Sequence, residues 1–132
     1  MNFEIEDIPI DTKLFYRIHK VYIDESINDE YKKIKPSAFD PQPKPKSTEL
    51  SVNWDKYSTA LQTKELARKP ELNGVVSFEA KKIKSPEINL QVKHSPSVIN
   101  RSHSIIFNVD YYENDPEIRI KLRRICKWEI NI

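Results

Sequence analysis

A chain of 132 residues has room for one modest core, and its 38% hydrophobic content, gathered in clusters with thirteen aromatics, is too patterned for a disordered chain. One cysteine excludes an internal disulfide, and one glycine excludes the glycine-rich phosphate loops of nucleotide-binding folds. The net charge of +2 is too small to imply a nucleic-acid partner, although it is spread unevenly, −2 over residues 1–66 and +4 over residues 67–132.

The opening stretch MNFEIEDIPIDTK has neither a basic n-region nor an apolar h-region, and no apolar run approaches membrane length. A cytoplasmic location with no membrane partner is the expectation. Residues 1–132 are read as a single domain with a Pro-rich surface loop at 35–48.

Lys13–Ile23 is rich in aromatic and β-branched residues and predicts a strand bent near His19. Its period of two sets Leu14, Tyr16 and Ile18 on one face, with Phe15, Arg17 and His19 on the other. Lys35–Glu49 holds four prolines and predicts an extended surface loop, anchored by Ala38 and Phe39. Glu49–Trp54 predicts a short strand. The helix that follows is capped by Ser58 or Thr59 and cannot continue past Pro70.

Gly74 opens a buried strand, Lys81–Ile88 reads as a turn or short helical piece, and Ile88–His94 alternates as a half-buried strand. A further strand starts near Ser102. Asp115 as N-cap and Pro116 at the first helical position then begin a basic terminal helix with an Ile118, Leu122, Ile125 stripe. Trp128 and Ile130 lead into a final strand or tail. The predicted class is α+β: a small mixed or mostly antiparallel sheet with two main helices, packed mostly on one face.

Chemistry-bearing residues are few. The three histidines, His19, His94 and His103, show no metal-ligand spacing, so neither a metal nor a cofactor is expected. The lone Cys126 reads as a small core residue. His94 and His103 flank one loop and approach each other if that loop joins adjacent strands. Asn100, Arg101 and Ser102 between them either form a capped turn or bind an anion. Arg17 lies in an apolar strand, where it needs a carboxylate such as Asp24 or Asp55, or else lines a pocket. Arg119, Lys121, Arg123, Arg124 and Lys127 make the terminal helix a place to look for phosphate contacts.

Several fragments occur together: FYRIH, PSAFDP, ELSVNWDKYST, NGVVSF, VKHSP and NRSHSII, ahead of a basic terminal helix. In this order they resemble a family of small, uncharacterised bacterial proteins, over about residues 14–130. The matching positions are Arg17, Pro36, Ser37, Phe39, Leu50, Ser51, Val52, Asn100 and His103. The resemblance implies an order of motifs and no activity.

The leading expectation is a binding or protein-interaction module. It would be an accessory component of a bacterial multi-protein system of a defence or toxin-related kind. Its partner would be another protein, met at a polar pocket near Arg17, Ser37, Ser51, Asn100, Arg101 and His103. The alternative is a small enzyme or toxin acting on a nucleotide or nucleic acid. In that case His103 or His19 is the acid/base, and Arg17 or Arg101 holds phosphate. A third reading is nucleic-acid binding through Arg119, Arg123, Arg124 and Lys127.

Overall fold

The computed structural model describes residues 3–29, 32–41, 49–107 and 116–132. Six strands form one antiparallel sheet: β1 (Lys13–His19), β2 (Glu49–Trp54), β3 (Asn73–Glu79), β4 (Gln91–His94), β5 (His103–Phe107) and β6 (Lys127–Ile130). They lie in the order β4-β5-β2-β1-β3-β6. The helices are α1 (Ala60–Glu65), α2 (Ala80–Ile83) and α3 (Ile118–Ile125), three among the described residues where two are predicted. The class is α+β. No helix among the described residues is long and apolar enough to cross a membrane.

Alternation in β1 survives folding. Leu14 and Ile18 are fully buried, and β1 pairs along its whole length with β3, from Lys13↔Glu79 to His19↔Asn73. The predicted bend at His19 is the end of the strand, where the imidazole accepts from the Val21 amide (3.0 Å) and starts a 3-10 turn. One face of the sheet carries Leu14, Ile18, Leu50, Val52, Trp54, Val76, Phe78 and Ile106. Against it pack Phe39, Ile118 and Leu122.

Phe39 and Ala38 anchor the 3-10 turn Pro36–Phe39, with Phe39 stacked on Tyr16 at 5.8 Å between ring centres. The Tyr16 hydroxyl donates to the Ala38 carbonyl, and burial raises its pKa. The rest of the predicted Pro-rich loop, residues 42–48, lies outside the described residues.

Three expectations are refined. First, α2 and α3 share the core face through Ala80, Ile83, Ile118 and Leu122, but α1 does not. Thr63 of α1 bonds to Asn53 and Arg17, whose side chains alternate away from Leu14, Val52 and Trp54. Thus α1 covers the opposite face. Its N-cap is Thr59, which forms a reciprocal capping box with Gln62.

Second, β4 starts at Gln91, not Ile88. Asn89 adopts φ 55°, a left-handed conformation that breaks the strand, while Ile88 and Leu90 both remain buried. Third, Pro116 precedes α3. The Ile120 and Lys121 amides bond the Glu117 carbonyl, so Glu117 stands at the N-cap. Asp115 lies outside the described residues.

Gly74, the sole glycine, sits where β6 crosses close to β3. A Cβ there would meet the Ile130 carbonyl oxygen at 2.7 Å and Ile132 at 2.8 Å. Gly74→Ala should therefore push β6 outward and cost about 1–3 kcal/mol in thermal or urea unfolding. A variant as stable as wild type would show that β6 is not held this tightly.

Candidate functional site

The junction of β1 and β2 differs from every other in the sheet. They share only Leu14↔Trp54 and Phe15↔Asn53. The Asp55 amide bonds the Lys13 carbonyl (3.1 Å), and the Trp54 amide bonds Ser102 on the other side (2.9 Å). Odd-numbered residues of β1 and β2 therefore turn their backbone groups toward each other. The next rung would join Arg17 to Ser51, and it is not made. Beyond Phe15 each strand follows its outer partner instead, β1 with β3 and β2 with β5.

The resulting wedge is a cleft of about 290 Å³. Arg17 and His19 line it from β1, Ser51 and Asn53 from β2, and Asn100 and His103 from the 95–103 region. Five predicted residues, Arg17, His19, Ser51, Asn100 and His103, thus share one hollow. Asn53, Thr63, Asn73, Asp40 and Tyr22 join them without having been singled out in the sequence. The period of β2 holds the missing signal for Asn53: it lies two residues from Ser51, on the same face.

A chain of amide and hydroxyl bonds stiffens the floor. Asn100 Nδ2 donates to Asn53 Oδ1 (3.0 Å), and Asn53 Nδ2 donates to Thr63 Oγ1 (3.1 Å). Thr63 in turn donates to the Thr59 carbonyl (2.9 Å) and contacts the Ser58 hydroxyl. Asn100 Oδ1 also accepts from the Ser102 amide and hydroxyl. Asn100 therefore closes its own turn and reaches into the cleft at once.

Arg17 Nη1 donates to the Thr63 carbonyl at 3.1 Å. Neither predicted carboxylate reaches it: Asp24 accepts from Ser26, and Asp55 accepts from the Thr12 hydroxyl. Arg17 as a residue is exposed, yet partial desolvation of its guanidinium lowers its pKa from the ordinary arginine value. No ion-pair partner of Arg17 is present among the described residues.

The histidines separate by strand parity. His94 pairs with Ser104 and points to the core face, so His103 points to the opposite face and the two do not meet. His94 Nδ1 accepts from the Glu6 amide (3.0 Å), so Nε2 carries the proton and donates to the Arg101 carbonyl (2.7 Å). It is buried against Trp54 and Tyr57 and is structural. His103 Nδ1 donates to the Ser95 carbonyl (2.7 Å), which leaves Nε2 as an acceptor in the neutral ring. His19 is the converse: Nδ1 accepts from Val21, so Nε2–H is a donor.

Other predicted site residues lie elsewhere. Ser37 does not line the cleft; its neighbours Ala38 and Asp40 do. Arg101 stacks on Tyr57 at 4.1 Å and on Phe3 at 5.1 Å, 3.9 Å from the Glu6 carboxylate. It thereby clamps an N-terminal strap. The α3 cations reach protein acceptors: Arg119 to Asp40 (3.4 Å), Arg123 to the Ile34 carbonyl (3.2 Å) and Arg124 to Glu87 (3.3 Å). Lys127 lies in β6, beyond the helix. Burial pushes the Cys126 thiol up to about 12. Among the described residues no group of three His, Cys, Asp or Glu side chains could hold a metal ion.

No family model matches the chain, and no curated protein or solved structure shows significant similarity to it.

His94→Phe strands the Glu6 amide and the Arg101 carbonyl and should cost about 1–3 kcal/mol of unfolding free energy. His103→Ala frees one carbonyl near solvent and should cost less. Equal losses in urea titrations would contradict the parity assignment. The strap also carries a pH dependence. Hydrogen bonds from Lys56 and the Tyr57 hydroxyl hold the Glu6 carboxyl below its ordinary 4.5. A carboxyl depressed in the folded state contributes stability above its unfolded pKa and loses it as pH falls through the folded value. Amide protection at residues 3–10 should therefore drop below about pH 4.5, and Glu6→Gln should flatten that dependence. Unchanged protection in acid would show that the carboxylate does not hold the strap.

Proposed function

We propose that the chain is a binding module whose working surface is the wedge between β1 and β2, and that it acts in the cytoplasm as an accessory component of a bacterial multi-protein system. One observation carries this reading. Two neighbouring strands of a continuous sheet stop pairing after two rungs and leave a polar cleft between them. Strand edges that offer backbone donors and acceptors are surfaces on which proteins recognise extended chain segments. The polar floor supports recognition, because its amides are fixed by one another before any partner arrives.

Filling the cleft tests this. Ser51 lines it and is exposed, so Ser51→Trp should leave stability within about 0.5 kcal/mol. The same change should abolish co-purification of the partner from the native host. A wild-type protein that emerges alone, or a filled variant that keeps its partner, would overturn the proposal.

A second reading has its own support. Arg17, His19 and His103 line one hollow, with a bare Nε2 on His103 to serve as base. A small enzyme or toxin acting on a nucleotide would use that nitrogen, and His103→Ala would then remove activity while leaving the fold intact. The internal partners of Arg119, Arg123 and Arg124 favour a protein over a nucleic acid as the ligand of this module.

A further inference from the structure

Arg17 and the unmade rung beside it constrain what the cleft can hold. The guanidinium spends one nitrogen on the Thr63 carbonyl and meets no carboxylate among the described residues. A guanidinium in that position gains most from an anion that accepts two of its remaining N–H groups. The two carboxylates of the lining, Asp40 and Glu49, make no ion pair with Arg17, and Asp40 is engaged by Arg119. Among the described residues Arg17 therefore keeps donors for an incoming anion.

The backbone says what carries it. The N–H and C=O of Arg17 turn toward β2, yet the Arg17–Ser51 rung is absent. An extended chain that supplies this rung places its own residue opposite Arg17. Its side chain then falls on the Arg17 face, within the roughly 4.5–5.5 Å of a cross-strand pair. His19 lies two residues on, on the same face, and offers Nε2–H when neutral. The incoming residue two positions away meets that donor.

We propose that the wedge accepts an extended acidic peptide segment, with one Asp or Glu set opposite Arg17 and a hydrogen-bond acceptor two residues away opposite His19. This rests on the wedge being the working surface, and it adds the chemistry of the occupant.

The test uses the ¹⁵N-labelled full chain and three probes. These are a short capped peptide of alternating Thr and Val with a central Glu and a Ser two residues before it, the same peptide with Gln for Glu, and inorganic phosphate. The Glu peptide should shift the amide signals of Arg17, His19 and Ser51. The Gln peptide should bind about tenfold more weakly. Arg17→Gln should erase that preference, and Arg17→Lys should keep part of it.

Equal binding of the two peptides would overturn the role of Arg17. Phosphate moving the same signals while neither peptide does would mean a small-anion site and end the proposal. Silence from every probe, while Ser51→Trp still loses the host partner, would also end it and would leave the wedge standing as the binding surface.

Discussion

Everything distinctive in this molecule follows from the short junction between β1 and β2. Either strand could have run a full ladder with the other, since both are long enough and antiparallel. Each is instead committed along its outer edge, β1 to all of β3 and β2 to all of β5. Twisted strands held this firmly by different partners diverge once the two rungs at Phe15↔Asn53 and Leu14↔Trp54 are spent. The core face closes over the gap with Tyr16, Phe39 and Phe78 in mutual ring contact. On the other face, beside α1, polar side chains line the gap.

That face is held by short side chains rather than by burial of apolar area. Asn53 is the branch point, taking one bond from Asn100 and giving one to Thr63. It thereby ties the 97–102 turn, β2 and α1 into one unit. No buried side-chain polar atom is left without a hydrogen-bond partner among the described residues, so the network is complete without a ligand. Preorganised polar groups of this kind cost little further ordering when something binds.

How much of this was legible in the sequence depended on whether a signal was local. The strands β1, β2 and β3 and the capping of α1 at Ser58 or Thr59 were written in nearby residues, whereas the strand read over Lys13–Ile23 ends at His19, where the imidazole turns back on the Val21 amide. The halt of β4 at Asn89 was less visible, because a left-handed asparagine leaves no mark on hydrophobic alternation. Sequence proximity also misled. His94 and His103 flank one loop, yet the His94↔Ser104 register sends them to opposite faces. Arg101 sits among polar loop residues, but its partners, Phe3 and Tyr57, come from distant parts of the chain. The grouping of Arg17 with His103 was foreseen from their chemistry. The reason for the cleft was not, since where a ladder stops depends on competition among four strands.

The strap formed by the first residues has a bearing on how the protein assembles. Glu6 finds its amide partner on His94 and its charge partners on Lys56 and Arg101. β1 likewise needs β3, and β3 needs β6 at the far end of the chain. The partners of residues 3–19 thus lie up to about a hundred positions away in sequence. Such distant pairings make for slow folding, with the apolar side chains of β1 uncovered until β3 and β6 have joined the sheet.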